Sequence, residues 1–304
     1  MSTIESTQSD PTLTADDPTP RQLTVALAQI APALGDVAKN RRLHLQQIDQ
    51  VVAAKADLVV FPELSLTGYF LRDMVTDVAL ERDAPELREL IEAADTTDLV
   101  MGYVERTSGH RIYNAAMYAE GGRLRHVHHK VYLPTYGLFD EQRYFARGER
   151  IRAFDTQRFG RVGLLVCEDL WHLSAAAIMQ AEGVEMLVCI ANSPTRGVAE
   201  QRPEVAETYE RLCRTFAQLL GAVVVMVNRI GFEDGLCFWG GSLVAGPDGQ
   251  LLGQAPLLDE SLTMVTLDPR ELQRQRTITP LGRDERLLIT IEELQRIKRA
   301  RYED

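Results

Sequence analysis

Three apolar runs of β character end abruptly on chemically reactive side chains, and no other feature constrains this chain as strongly. Leu58-Val59-Val60-Phe61 stops at Pro62, with Glu63 directly behind it. The segment ending His128-His129 leads into Lys130 and then into a loop rich in Pro, Gly and aromatic residues, as far as Glu141. Gly163-Leu164-Leu165-Val166 ends on Cys167, followed at once by Glu168 and Asp169. The end of a parallel strand is where an α/β fold delivers a nucleophile into a cleft. Three strand ends therefore offer a carboxylate, an ammonium and a thiol. Each has a bland explanation when taken singly: a helix-capping Glu63, a solvated Lys130, a Cys167 buried as a small hydrophobe.

The rest of the chain alternates between strand and helix patterns. Strands are predicted over 23–30, 57–61, 98–105 and 112–119, and the Gly121-Gly122 turn joins the last of these to another over 123–129. Further strands are expected at 151–154, 161–167, 185–191, 222–228, 242–246, 250–254 and 262–267. Asp36 caps a predicted helix over 37–54, a helix-rich stretch is read around 73–94, and helices are read at 173–182 and 203–220, the last ending at Gly221. Thr290-Ile291-Glu292-Glu293 has the capping-box pattern and opens a predicted C-terminal helix. Hairpins mixed with helix-separated strands argue for two packed sheets covered by helices.

Charge and cysteine usage exclude several function classes. A net charge of −11 on 304 residues argues against a nucleic-acid-binding surface. The sequence has no apolar run long enough to cross a bilayer. Residues 1–20 carry Glu5, Asp10, Asp16 and Asp17 with no Lys or Arg, which predicts a disordered acidic tail rather than a signal peptide. One domain is expected over 21–304, in a cytoplasmic protein. Cys167, Cys189, Cys213 and Cys237 are widely spaced, without the pairing of a disulfide framework or a zinc motif. In a strand His126 and His128 share one face while His129 takes the other, so no metal site is expected. No cofactor is expected either, since neither GxGxxG nor GxxxxGK[ST] occurs.

The segments FPELSLTGY (61–69), KVYLPTYGLFDEQRYF (130–145) and VCEDLW (166–171) resemble the nitrilase, or carbon–nitrogen hydrolase, superfamily. More narrowly they resemble the glutaminase domain of glutamine-dependent NAD synthetases, over about Leu23 to Leu267. The resemblance implies an α/β fold with mixed sheets, a four-layer αββα sandwich, doubled by a homodimer interface into αββααββα. It implies Cys167 as nucleophile, Glu63 as general base and Lys130 as oxyanion stabiliser, with Glu141 as an additional glutamate positioning substrate and Lys130. Tyr69, Tyr136 and Phe139 shape the acyl pocket by the same resemblance. Glu168 is given a structural or backbone-positioning role, with a place among the substrate-binding residues, rather than base duty. Ser193, which follows another apolar strand, is expected to hydrogen-bond a substrate amino or carboxylate group.

The chain departs from those relatives just after Ser193-Pro194. They often continue with an aromatic and then Gly-Lys, where this sequence has Thr195, Arg196, Gly197 and Val198. Arg196 or Arg202 is left as a candidate for a substrate carboxylate. The Ser-Gly-Gly-x-Asp-Ser loop of the ATP-dependent synthetase half does not occur, so the expected activity is that of an amidase, or of a glutaminase supplying ammonia to a separate synthetase. A nitrilase or carbamoyl-amide hydrolase would use the same three residues. A non-catalytic partner subunit of a synthetase is the reading from another class.

Overall fold

The computed structural model describes residues 21–196 and 202–303. The predicted acidic tail lies outside these residues, as do Gly197 and Val198.

Strand β1 (Leu23–Gln29) leads to helix α1 (Val37–Ala53), whose amino end is capped as predicted, the Asp36 carboxylate accepting from the Lys39 N–H at 2.9 Å. Strand β2 (Leu58–Val60), the single turn α2 (Val75–Val78) and α3 (Pro85–Ala93) follow. Next come β3 (Asp98–Arg106), β4 (Ile112–Glu120) and β5 (Arg123–His129). Both glycines of the β4–β5 turn have positive φ, 56° and 67°, a conformation that suits a two-residue hairpin and that other residues adopt at a cost.

The second half opens with β6 (Ala153–Asp155), β7 (Arg161–Val166), α4 (Leu173–Ala181) and β8 (Met186–Ala191). The short β9 (Pro194–Arg196) precedes α5 (Glu204–Leu220), which ends at Gly221 in the left-handed conformation. Then come β10 (Val223–Asn228), β11 (Ile230–Glu233), β12 (Leu236–Trp239), β13 (Leu243–Ala245), β14 (Leu251–Gln254) and β15 (Ser261–Leu267). Helices α6 (Pro269–Ile278), α7 (Leu281–Asp284) and α8 (Leu287–Tyr302) close the described chain.

Two six-stranded mixed sheets result, ordered β15-β1-β2-β3-β4-β5 and β14-β13-β10-β8-β7-β6. Strands β1, β2 and β3 run parallel, as do β10, β8 and β7. Alternation along each strand assigns its two faces. Val25, Leu27, Leu58, Val60 and Val100 pack with Leu164, Val166, Val188 and Val225 of the other sheet. Ala26, Val59, Phe61, Leu99 and Met101 face the opposite way, into a second cluster with Ile48 and Val51 of α1 and Leu87 and Leu90 of α3. The outer face of the second sheet is covered by α4 and α5, through Ala175, Met179, Ala206 and Phe216. The arrangement is αββα, as the motifs imply. The central strands read as unbroken apolar runs because both of their faces are buried.

Several features differ from the sequence reading, α7 among them. Strands β9, β12 and β11 form a small third sheet. Its β11–β12 turn is Asp234-Gly235, with φ of 51° and 78°. The chain also folds into α6, begun by Asp268, whose carboxylate accepts from the Arg270 N–H at 3.0 Å, and by Pro269 in the first turn. Helix α8 begins at Leu287 rather than at Thr290, because the apolar run 287–291 is already helical and the Thr290 N–H bonds back to the Arg286 carbonyl. Thr290 therefore caps nothing. No residue of α6, α7 or α8 is buried.

Candidate active site

Glu63 is held by a turn that leaves it no freedom. The chain leaves β2 with the Phe61 N–H bonded to the Val100 carbonyl at 2.8 Å, and Leu64 takes a positive φ of 44°. Such a conformation costs a non-glycine residue about 1–2 kcal/mol and persists only when its surroundings enforce it. Gly102 on β3 permits the turn. A Cβ there would meet the Leu64 nitrogen and lie 2.7 Å from the Pro62 carbonyl oxygen. The Glu63 carboxylate is fully buried and both oxygens are engaged. Oε1 accepts from Asn114 Nδ2 at 2.7 Å and from Lys130 Nζ at 2.8 Å; Oε2 accepts from the Asn192 N–H at 2.7 Å. The Asn192 side chain also donates to the Glu63 carbonyl at 2.7 Å.

Lys130 follows β5 directly and its N–H bonds to the Asn114 carbonyl at 2.9 Å. Its ammonium, 1% exposed, is shared by two carboxylates, Glu63 and Glu141, with Glu141 Oε1 at 2.7 Å. Tyr69 donates its hydroxyl to the same Glu141 oxygen. Burial disfavours the charge on Lys130, yet Glu141 and Glu63 more than offset it and raise the ammonium well above the ordinary lysine range. Glu141 goes the other way from a normal carboxylate. Burial pushes it up to about 7, with Lys130 opposing and the neighbouring Glu63 adding to the rise. Its second oxygen, Oε2, is buried with no hydrogen-bond partner among the described residues.

Cys167 comes from the facing sheet, at the end of β7, with a positive φ of 47°. Asp169 shapes this turn. Its Oδ2 accepts from the Val166 N–H at 3.1 Å and bonds His128 Nε2 at 2.8 Å, while Oδ1 accepts from the Val131 and Tyr132 N–H groups at 3.0 and 2.9 Å. One carboxylate thus ties the turn of the thiol to the loop of the lysine. The backbone-holding role considered for Glu168 belongs to Asp169. Burial and Glu63 push the Cys167 thiol upward, with Lys130 pulling the other way, so the resting sulfur carries its proton. Its Sγ lies 3.2 Å from the hydroxyl of Tyr209 on α5.

The pocket candidates separate. Tyr69 is buried, and Phe139 packs edge-on against both Tyr69 and Tyr136, with ring centroids 6.2 and 6.1 Å apart. Tyr136 is 60% exposed and donates to both carboxylate oxygens of Glu168, at 2.9 and 3.0 Å. Ser193 is buried. Its hydroxyl accepts from the Trp239 indole N–H at 3.3 Å and its N–H donates to Asn228 Oδ1 at 2.8 Å. Arg196 is exposed on β9, whereas Arg202 is paired with Glu210. A cavity of about 230 Å³ reaches the buried cluster through Tyr69, Phe139 and Glu141, with Arg72 and Asp234 also lining it. Cys167 does not line this cavity; its turn joins the Lys130 loop through Asp169 instead.

Sequence reasoning missed Asn114, Asn192, Asp169 and Tyr209 as members of this cluster. Asp169 carried a signal, since it lies two residues after the thiol. Tyr209 carried none, because it falls on the apolar stripe Ala206, Tyr209, Cys213, Phe216 of α5 and reads as core. The three neighbouring histidines are occupied separately: His126 stacks on Phe154, His128 bonds Asp169, and His129 stacks on Tyr113 and bonds Glu105.

The carbon-nitrogen hydrolase family profile matches residues 24–277. A glutamine-dependent NAD(+) synthetase of Acinetobacter baylyi is 30% identical over 264 residues, covering 86% of this chain and 47% of that protein. The structure of a glutamine-dependent NAD+ synthetase from Acinetobacter baumannii superposes with a TM-score of 0.73 at 28% identity, over 83% of this chain and 47% of that one. A carbon-nitrogen hydrolase from Helicobacter pylori G27 superposes with a TM-score of 0.81 over 90% of this chain and 99% of its own. At 24% identity that likeness is one of fold. The chain spans about half the length of the curated relatives it matches.

Proposed function

The chain belongs to the carbon-nitrogen hydrolase family, and from that premise we propose that it is a cysteine-dependent hydrolase of a small linear amide, glutaminase-like, releasing ammonia through a thioester on Cys167. The observation that carries this reading is the buried Glu63–Lys130–Glu141 cluster, whose Lys130 loop is tied to the Cys167 turn through Asp169.

In the proposed reaction, Glu63 takes the thiol proton as sulfur attacks the amide carbonyl carbon. Because the resting thiol is held protonated, proton transfer accompanies attack rather than preceding it. The developing oxyanion is met by the Lys130 ammonium and by the Glu168 backbone N–H. Glu63 returns the proton to the departing nitrogen, so ammonia leaves and the thioester remains. Water, deprotonated by the same carboxylate, then releases the acid and restores the thiol. Glu141 holds the Lys130 ammonium in place through its own hydrogen bond. Tyr69 and Phe139 form one wall of the acyl pocket, and Tyr136, Glu168 and Ser193 supply its polar contacts.

A homodimer is part of the proposal, supported by Leu287, Leu288, Ile291 and Leu294 lying exposed on α8. A reducing, cytoplasmic location accords with four free cysteines. No helix among the described residues is long and apolar enough to cross a membrane. The similarity to NAD synthetases makes an ammonia-using synthetase the partner to seek, and residues 21–304 are taken as one domain because both sheets feed one site. The test is ammonia release from glutamine, asparagine, simple amides, nitriles and carbamoyl compounds, with Cys167→Ala as control. Release from glutamine that vanishes in the variant supports a glutaminase. Turnover of a nitrile or carbamoyl compound alone redefines the substrate, and silence across the panel overturns the enzymatic reading.

A further inference from the structure

Tyr209 is not explained by packing alone. It is buried on α5, and its ring lies edge-on to Trp171 with centroids 5.3 Å apart and tilted to Trp239 at 6.0 Å. Its buried neighbours along α5, Ala206, Cys213, Phe216, Ala217 and Leu220, carry no hydroxyl, yet here a phenol places its oxygen 3.2 Å from the Cys167 sulfur. Either atom can donate while the thiol is intact, but a sulfur that has given up its proton can only accept. From that point in the reaction the phenol is the donor. Burial and the nearby thiol keep Tyr209 protonated far above physiological pH, so the donor is never lost by titration.

We infer that Tyr209 is a hydrogen-bond donor to the Cys167 sulfur, which fixes the thiol's rotamer and stabilises the negative charge that sulfur carries as Glu63 removes its proton. This rests on the reading of Cys167 as nucleophile. The chemistry supplies a reason for such a donor. Many cysteine nucleophiles are paired with an imidazolium, whereas here the base is an anion, which opposes a thiolate beside it. Lys130 is already shared by two carboxylates. A neutral donor on the α5 side adds stabilisation without a further buried charge. A hydrogen bond to a charged group is worth about 1.5–3 kcal/mol, which corresponds to roughly ten- to hundredfold in the thiolate population. The proton of Tyr209 stays on its oxygen throughout.

The test needs no substrate. Iodoacetamide alkylation of Cys167 is followed by mass spectrometry across a pH series in the wild type, Tyr209→Phe and Trp171→Phe. Tyr209→Phe keeps the ring and removes the hydroxyl. The expected result is at least about tenfold slower alkylation at neutral pH, with the whole profile moved up by about one pH unit. Trp171→Phe, which alters the ring packed edge-on against Tyr209, should give a smaller shift in the same direction, and it carries the test if Tyr209→Phe does not fold. Superimposable profiles in whichever variants fold overturn the proposal and leave Tyr209 as packing. If instead Cys167→Ala keeps full amide turnover, it is the assignment of the nucleophile that fails, and the profile shift still reports whether the hydrogen bond exists.

Discussion

The Nζ of Lys130 lies 2.8 Å from Oε1 of Glu63, and both side chains are almost wholly shielded from water. An exposed pair of this kind contributes little, whereas removing one member of a buried pair leaves the other charge uncompensated and costs about 3–5 kcal/mol. From sequence alone, Lys130→Ala is expected to impair turnover with the fold unharmed. The structure adds a folding cost, because two carboxylates depend on this one cation.

Lys130→Ala is therefore expected to lose about 3–4 kcal/mol of transition-state stabilisation and also to melt markedly lower than wild type. Adding Glu141→Gln should restore part of the stability and none of the turnover. Thermal melts and rates normalised to folded protein separate the two effects. A single variant that melts like wild type contradicts the dependence on Lys130.

Glu141 links the cluster to pH. Burial raises its carboxyl from 4.5 to about 7, so over that interval the folded protein keeps a proton that the unfolded chain has released. Its contribution to stability is present below the unfolded value and is lost as pH rises through about 7. Urea midpoints at about pH 5 and about pH 8 should fall further for wild type than for Glu141→Gln. Parallel behaviour would mean that Glu141 ionises like a surface carboxylate.

Asp169→Ala removes the acceptor of three backbone N–H groups and of His128. A loss on the order of 3 kcal/mol is expected, since buried donors left unpaired cost about 1–3 kcal/mol each and some will find water. Activity should fall further than folding explains, because the Lys130 loop and the Cys167 turn are no longer tied together. Retained turnover in the folded fraction would argue that each loop holds its shape alone.

Gly102→Ala tests the Glu63 turn from outside the site. The added methyl presses on the Leu64 nitrogen and the Pro62 carbonyl, both backbone, so the turn itself must move. Roughly 1–3 kcal/mol of destabilisation is expected, with a loss of turnover disproportionate to it. A variant of normal activity would show that Glu63 tolerates displacement.

The parts of this site legible in the sequence are those where an apolar strand stops on a polar side chain. Glu63, Lys130 and Cys167 each stand at such a boundary, and the loop from Lys130 to Glu141 is short enough to carry Glu141 back to the same ammonium. What stayed hidden is contributed across long separations by residues whose local pattern says something else. Asn114 lies mid-strand in β4, Asn192 comes 129 residues after the carboxylate it bonds, and Tyr209 sits in a helical apolar stripe. The small third sheet was missed because its strands are three or four residues long, although the Asp234-Gly235 turn marks one hairpin.

Glu63 and Lys130 hang from one sheet, and Cys167 and Asn192 from the other. In the proposed mechanism neither half of the sandwich owns a reaction centre; it comes into being only along the seam where the halves close. Catalysis is then a gauge of how well the two layers are docked. Under gentle heating or dilute denaturant, chemistry should fail as soon as the seam loosens, while both sheets still register as intact strands.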